Sequence, residues 1–326
     1  MTLVGVWFAA IAVLWLGFLF LEGFDFGVAL LLPVLGRDEE RRSLLLRTIG
    51  PVWDGNEVWL VTAVGATFAA FPGWYASWLS SAYLLFLVVL LGLIGRAVAL
   101  EWRHAHHSPR WERRWSTVVT VGSLLAAAGI GAAVGAATLG LPLDADANRV
   151  GGPFAWLGWG AVLGAVAIVG FCLVHGAIFV ALRTHEPVRG QAAALALRAA
   201  PVAAVPLLVW GALVQARTGT AWTGALWTVA PAAAAVAWWR LRAGREGQAF
   251  AAWSVMLMAS LGTVFAAAWP VVLHSTAGPD LTAHAATVSH GTLTLMTWLA
   301  AVGLPATIAY QAWTYWVFRR RLRVSP

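Results

Sequence analysis

Lysine is absent from this chain of 326 residues, so arginine supplies all 21 of its basic side chains. There is one cysteine, Cys172, which excludes an intrachain disulfide, a cysteine-based zinc site and an iron–sulfur cluster held by this chain alone. Charge of either sign is scarce. Charged residues make up 11% of the chain, against about 25% in an ordinary soluble domain. Missing as well are a soluble domain, a low-complexity linker and any short repeat period. The longest polar interruptions, 101 to 116 and 274 to 290, are too short to fold alone.

Apolar residues fill the remainder, at 60% of the chain with a mean hydropathy of +0.77. Cut at its charge clusters, the sequence falls into stretches long enough for a hydrocarbon core of about 30 Å. Nine are expected, near 4 to 34, 52 to 71, 77 to 100, 117 to 141, 154 to 182, 198 to 216, 222 to 239, 249 to 273 and 291 to 318. The chain therefore reads as an all-α integral membrane protein forming one polytopic domain over 1 to 326. Its first apolar segment lacks a basic leader and runs on through Glu22 and Asp25, so it is expected to stay as a helix.

The arginines orient these spans. Arg37, Arg41, Arg42 and Arg47 lie in the first connection, Arg103, Arg110, Arg113 and Arg114 in the third, and Arg183, Arg189 and Arg198 in the fifth. Arg240, Arg242 and Arg245 follow in the seventh, then Arg319, Arg320, Arg321 and Arg323 in the tail. The even connections hold only Arg149 and Arg217. Retained cytoplasmic loops collect basic residues, so the N-terminus is expected outside and the C-terminus in the cytoplasm. The net charge of +7 then needs no nucleic acid, and the arginines can also contact anionic lipid.

Ionisable groups inside spans are costly, and each is a candidate for function. Glu22 and Asp25 in "FLEGFDFG" are three apart on the first helix, and Asp54 and Glu57 repeat that spacing in "VWDGNEVW". Arg96 is set into "LIGRAVALEW" and His175 into "LVHGAIF". The expected topology puts all six in the cytoplasmic half. Simpler roles compete with a site. Asp54 and Glu57 follow Pro51 and suit the positive end of a helix, Arg96 suits a counter-ion, and His175 suits a hydrogen-bonded core histidine. His104, His106 and His107 read as solvated among arginines. His185, His274, His284 and His290 lie in or beside polar connections. The 21 tryptophans read mostly as lipid-facing bulk and interface anchors, with Trp74 and Trp78 in the outer belt.

Carboxylates, an arginine and a histidine leading inward from one aqueous face suit a proton relay, and equally the ion site of a secondary transporter. A purely structural assembly subunit is the third class. Axial histidine pairs for a b-type haem are not expected, since His175 alone lies deep in a span.

Five blocks then carry a resemblance. "EGFDFGV" at 22 to 28, "GPVWDGNEVWL" at 50 to 60, "AAFPGWYA" at 69 to 76, "HGAIFVALRT" at 175 to 184, and "TLTLMTWLAAVGLP" at 292 to 305 with "YQAWTYWVF" at 310 to 318 resemble, in order, subunit II of bacterial cytochrome bd quinol oxidases. The resemblance implies nine helices arranged as two four-helix bundles and a peripheral helix, in the bacterial plasma membrane. It implies a partner subunit I that holds haems b and d and the quinol site, with oxygen reduced to water by the complex and not by this chain alone. A small single-helix accessory subunit and a structural quinone, found in some members, belong to the same expectation. Asp25, Asp54 and Arg96 match the family's charged positions on a proton route, while Glu22, Glu57 and His175 match it less closely. The expected relay has Asp54 and Glu57 facing Asp25 and Arg96, Gly55 allowing close helix approach, and Trp53 and Trp59 sealing it from lipid.

Overall fold

The computed structural model describes residues 2–103, 105–106, 108–318 and 321–322. His104, His107, Arg319, Arg320 and Arg323 lie outside the described residues. Along the chain run α1 (Leu3–Leu35), α2 (Glu39–Ile49), α3 (Trp53–Ala70), α4 (Pro72–Ser81), α5 (Tyr83–Trp102), α6 (Pro109–Leu139), α7 (Trp159–Arg183), α8 (Val188–Thr218), α9 (Ala221–Arg242) and α10 (Glu246–Ala268). A two-stranded antiparallel sheet, β1 (Val271–Leu273) and β2 (Leu281–Thr282), the short α11 (Ala283–Ala286) and α12 (His290–Val317) complete the order.

Helix is what apolar stretches of this length must form, because a backbone in lipid has to satisfy its own polar groups. Starts are marked by side chains that accept from the first free amides: Thr2 from Gly5, Asp38 from Arg41 and Ser289 from Thr292. Each expected stretch lies mostly on helix, but 154 to 182 becomes helical only at Trp159, after the extended Gly158, and 249 to 273 ends its helix at Ala268, where Pro270 withholds an amide and Val271–Leu273 form β1. Among the described residues seven helices are long and apolar enough to cross a membrane on their own: α1, α5, α6, α7, α8, α10 and α12. Helices α3 and α4 pass that measure together, bent by 119°. Helix α9 covers the seventh stretch and is not among them.

The start of the third stretch differs as well, for an identifiable reason. The stretch from 77 to 100 does not begin a helix, because Pro72 ends α3 by withholding an amide and crowding the preceding turn, so that α4 folds back and α5 starts at Tyr83. Trp74 and Trp78 ride on this folded-back helix, and both are 3% exposed. They are core residues and not a lipid-facing belt. Trp78 donates its indole N–H to Ala133 O at 3.1 Å, and Trp74 stacks on Trp78 and Phe8. The amphipathic α2, which hydropathy passes over, covers the first connection.

Helices α1, α3, α5 and α6 form one group and α7 to α10 the other, while α12 touches α1 and α3 from the edge. The seam between the groups is built on glycine. A Cβ on Gly27 of α1 would fall 1.9 Å from Cys172 O of α7, and one on Gly131 of α6 would fall 2.3 Å from Gly164 O. Only glycine lets these backbones meet, the usual device where lipid offers no hydrophobic drive for helices to associate.

The connections sort by charge. At one end Arg103 pairs with Glu39, Arg189 with Glu246, and Leu322 N donates to Arg183 O, joining the arginine-rich connections. At the other, His274 N donates to Ala137 O, Leu141 N to His274 O, and Val288 N to Ala70 O. Arginine-rich and arginine-poor loops thus occupy opposite ends of the helices.

Candidate functional site

The buried charges meet where α1, α3 and α5 converge toward the arginine-rich end. Glu22 and Asp25 project from one face of α1, Glu57 from the second turn of α3, and Arg96 from the last third of α5. Nη1 of Arg96 forms ion pairs with both Glu22 and Glu57. The guanidinium also lies 5.1 Å from the Phe26 ring centroid and 5.9 Å from that of Trp53, so aromatic faces line its apolar sides. Glu22, Asp25 and Arg96 are fully buried, whereas the Glu57 side chain keeps 22% of its surface.

Asp25 is held through an amide and not by the arginine. Its Oδ2 accepts from Asn56 Nδ2 at 2.7 Å. Asn56 Oδ1 in turn accepts from Tyr315 OH at 2.8 Å and from Gln311 Nε2 at 3.2 Å, both on α12. Gln311 Oε1 accepts the indole N–H of Trp59 at 2.6 Å. Because Asn56 Oδ1 already receives two donors, its NH2 group must be the one turned to Asp25, and its orientation is fixed. The four helices α1, α3, α5 and α12 therefore share one polar network.

Asp54 departs from its expected place. It is exposed on the first turn of α3 and makes no hydrogen bond or ion pair among the described residues, so it does not face Asp25 or Arg96. The inward face of α3 runs through Trp53, Asn56 and Glu57, and Asp54 sits beyond its edge. Gly55 is also outside the packing, with no atom within 4 Å of a Cβ built on it, and it brings no helix close. Trp53 and Trp59 do flank the cluster, Trp53 over Arg96 and Trp59 against Gly17 and Gln311.

His175 is on the far side of α1 from the acids. Its Nε2 lies 3.0 Å from Phe20 O, and its ring is enclosed by Phe250 at 4.4 Å, Phe171 at 4.7 Å, Phe20 at 5.8 Å and Phe24 at 5.9 Å. No hydrogen bond among the described residues joins it to Glu22, Asp25 or Arg96. It is a packed core histidine whose Nδ1 has no hydrogen-bond partner among the described residues. No group of three or more His, Cys, Asp and Glu among the described residues is placed to hold a metal ion.

Set beside known proteins, the sequence matches the family described as cytochrome bd terminal oxidase subunit II over residues 3–318. The chain belongs to that family. It is 37% identical over 324 residues to the cytochrome bd ubiquinol oxidase subunit 2 of Bacillus subtilis (strain 168), covering 97% of this chain and 96% of that one. It is 30% identical over 351 residues to the cytochrome bd-I ubiquinol oxidase subunit 2 of Escherichia coli (strain K12), covering 95% and 93%. A chain in the structure of bd oxidase from Geobacillus thermodenitrificans shares the fold with a TM-score of 0.77 at 18% identity, over 98% of this chain and 99% of that chain.

Family membership makes this a multi-pass subunit of a quinol oxidase complex in the bacterial inner membrane, with a subunit I as its partner. Blocks far apart in the sequence meet through polar side chains. "EGFDFGV", "GPVWDGNEVWL" and "YQAWTYWVF" supply Asp25, Asn56, and Gln311 with Tyr315, and these meet within hydrogen-bond distance although more than 250 residues separate Asn56 from Gln311 and Tyr315. Reading charge alone passes over Asn56, Gln311 and Tyr315. The signal that could have found them is polarity on the part-buried side of α12, where Gln311 and Tyr315 follow Thr294 and Thr297, the latter accepting the Trp7 indole N–H at 3.1 Å.

Proposed function

We propose that this chain carries protons from the cytoplasmic face toward the oxygen-reducing site of subunit I and supports the assembly of haems there. The arginine-rich end is the cytoplasmic one by the positive-inside rule, and haems b and d belong to the partner, where they supply electrons and bind oxygen.

One observation carries the relay reading: carboxyls of graded burial lead inward from that end. Asp54 is exposed, Glu57 on the next turn is half-buried, and Glu22 and Asp25 beyond Arg96 are fully buried. Charge balance completes the argument. One guanidinium can neutralise one carboxylate, while each further buried carboxylate left ionised costs several kcal/mol by desolvation. Three carboxyls around Arg96 are therefore a place to hold protons. Glu57 takes a proton from the side of Asp54 and yields it to Glu22 as Arg96, touching both, moves its charge pairing from one to the other. Among the described residues Asp25 Oδ1 and Arg96 Nε and Nη2 have no hydrogen-bond partner, and buried polar atoms of this kind are where bridging water is held.

Two other classes fit less well. A secondary transporter would place its broken helix around a midplane site, yet the bend between α3 and α4 is at the opposite end of α3 from the charges. A purely structural subunit would tolerate neutral replacement of every acid. The test is Glu57→Gln in the whole complex, isolated by a tag on this chain. A reduced-minus-oxidised spectrum showing haem d, with quinol oxidation slowed about a hundredfold, the low end of what losing a proton-transfer group costs, supports the relay. Normal haem and normal turnover in both Glu57→Gln and Asp54→Asn would leave only the structural role, and absence of haem from the wild-type preparation would remove the oxidase reading itself.

A further inference from the structure

Two adjoining cavities lie at the arginine-rich end, outside the cluster on α1, α3 and α5. One, of about 310 Å³, opens between the end of α1 and the start of α6 and is lined by Arg37, Arg42, Arg113 and Thr117 over a floor that includes Pro33 and Thr120. The other, also about 310 Å³, is lined by Arg110, Arg113, Arg114 and Thr117. They share Arg113 and Thr117. Positions 110, 113, 114 and 117 follow helical spacing, so one face of α6 presents three guanidinium groups in a row.

Charge here is unbalanced. Among the described residues Arg37, Arg110, Arg113 and Arg114 have no ion-pair or hydrogen-bond partner for their side chains. Of the nearby acids, Asp38 pairs with Arg41, Glu39 with Arg42 and Arg103, and Glu112 acts on Arg103, so Glu40 alone is left against four unpaired arginines among the described residues. Arg42 also donates to Gly36 O at 2.9 Å, and Thr117 spends its hydroxyl hydrogen on Arg113 O at 3.0 Å. Recognition therefore falls to the forked guanidinium groups, whose geometry matches phosphate oxygens.

Depth decides which phosphate. Pro33 is in the last turn of α1, and Thr120, which donates to Ala29 O at 2.9 Å, ties α6 to α1 beneath the cavity. The cavities thus open where membrane-spanning helices end, at the level of headgroups, beside the edge-to-face pair Trp111 and Trp115. We propose that this paired cavity binds the phosphate of an anionic phospholipid headgroup on the cytoplasmic leaflet.

The complex, purified with its partner subunit, is placed in nanodiscs of phosphatidylcholine with or without phosphatidylglycerol, then extracted and weighed by native mass spectrometry. Wild type should retain phosphatidylglycerol, and Arg113→Gln with Arg114→Gln should retain it about 25-fold less tightly, from about fivefold per arginine near an anionic surface. Retention equal to wild type, in a variant whose haem spectrum shows full assembly, overturns the proposal. Inorganic phosphate at millimolar concentration is the second arm: if it binds and displaces the lipid from wild type, the site is one for free phosphate and the lipid assignment fails. Should the double variant not assemble, Arg110→Gln, exposed and unpartnered, must still weaken retention about fivefold, and an unchanged value overturns the proposal equally.

Discussion

Helix α1 carries two buried polar sites on opposite faces, and they behave as opposites. On one face Glu22 and Asp25 meet Arg96, Glu57 and Asn56, and the half-buried Glu57 leads out to the exposed Asp54. On the other, Phe20 and Phe24 close over His175 with Phe171 and Phe250, and no hydrogen bond among the described residues joins that ring to another ionisable side chain. Both sites are buried and both contain a titratable group. What separates them is continuity: a polar side chain can carry protons only if the next one toward water is also polar. Burial alone is no mark of function.

The comparison is broken most severely at Arg96. Arg96→Leu strips two carboxyls of their counter-ion inside the bundle, and removing one partner of a buried pair costs about 3–5 kcal/mol. The expected outcome is loss of assembled complex, seen as missing haem d absorption in a pull-down through this chain. Next in size is Gly27→Ala, which separates α1 from α7 and so disturbs both faces at once. Its Cβ would meet Cys172 O at 1.9 Å and the Gly176 backbone at 2.7 Å. Overpacking of a close seam costs about 1–3 kcal/mol, so the thermal midpoint of the complex should drop by several degrees, while Gly55→Ala on open helix should leave it unchanged.

Much of this was legible in the residues, and the gaps have physical causes. Arg96, Glu22, Asp25 and Glu57 stood out because a charge within an apolar span has no cheap place to go. Asp54 was misplaced because a spacing of three puts it on the same side as Glu57 without saying where the packed face ends, and that face is centred on Asn56. Asn56, Gln311 and Tyr315 carry no formal charge and meet across more than 250 positions, a proximity that no local pattern encodes. Trp74 and Trp78 looked like interface anchors because Pro72 turns their helix back over the bundle, which hydropathy does not register.

Asn56 offers a smaller and sharper test. Asn56→Leu keeps the size of the side chain but leaves the buried Asp25 Oδ2 without its donor, at a cost of about 1–3 kcal/mol, while the part-buried Tyr315 OH and Gln311 Nε2 can turn to water. Turnover should fall several-fold with the haem spectrum intact, and Tyr315→Phe, which removes a single donor, should fall less. Equal and full activity in both would show that α12 merely covers Asp25.

The smallest effect is expected at His175, and it tests the other half of the comparison. In His175→Phe the ring keeps its stacking partners and loses only the contact with Phe20 O, a carbonyl already within α1, so stability should change by about 1 kcal/mol. Quinol oxidation and its pH profile should match wild type, because no polar neighbour passes a proton to or from this ring. A slowed turnover comparable to that of Glu57→Gln would mean that the phenylalanine cage opens during the cycle and that the two faces of α1 work as one path.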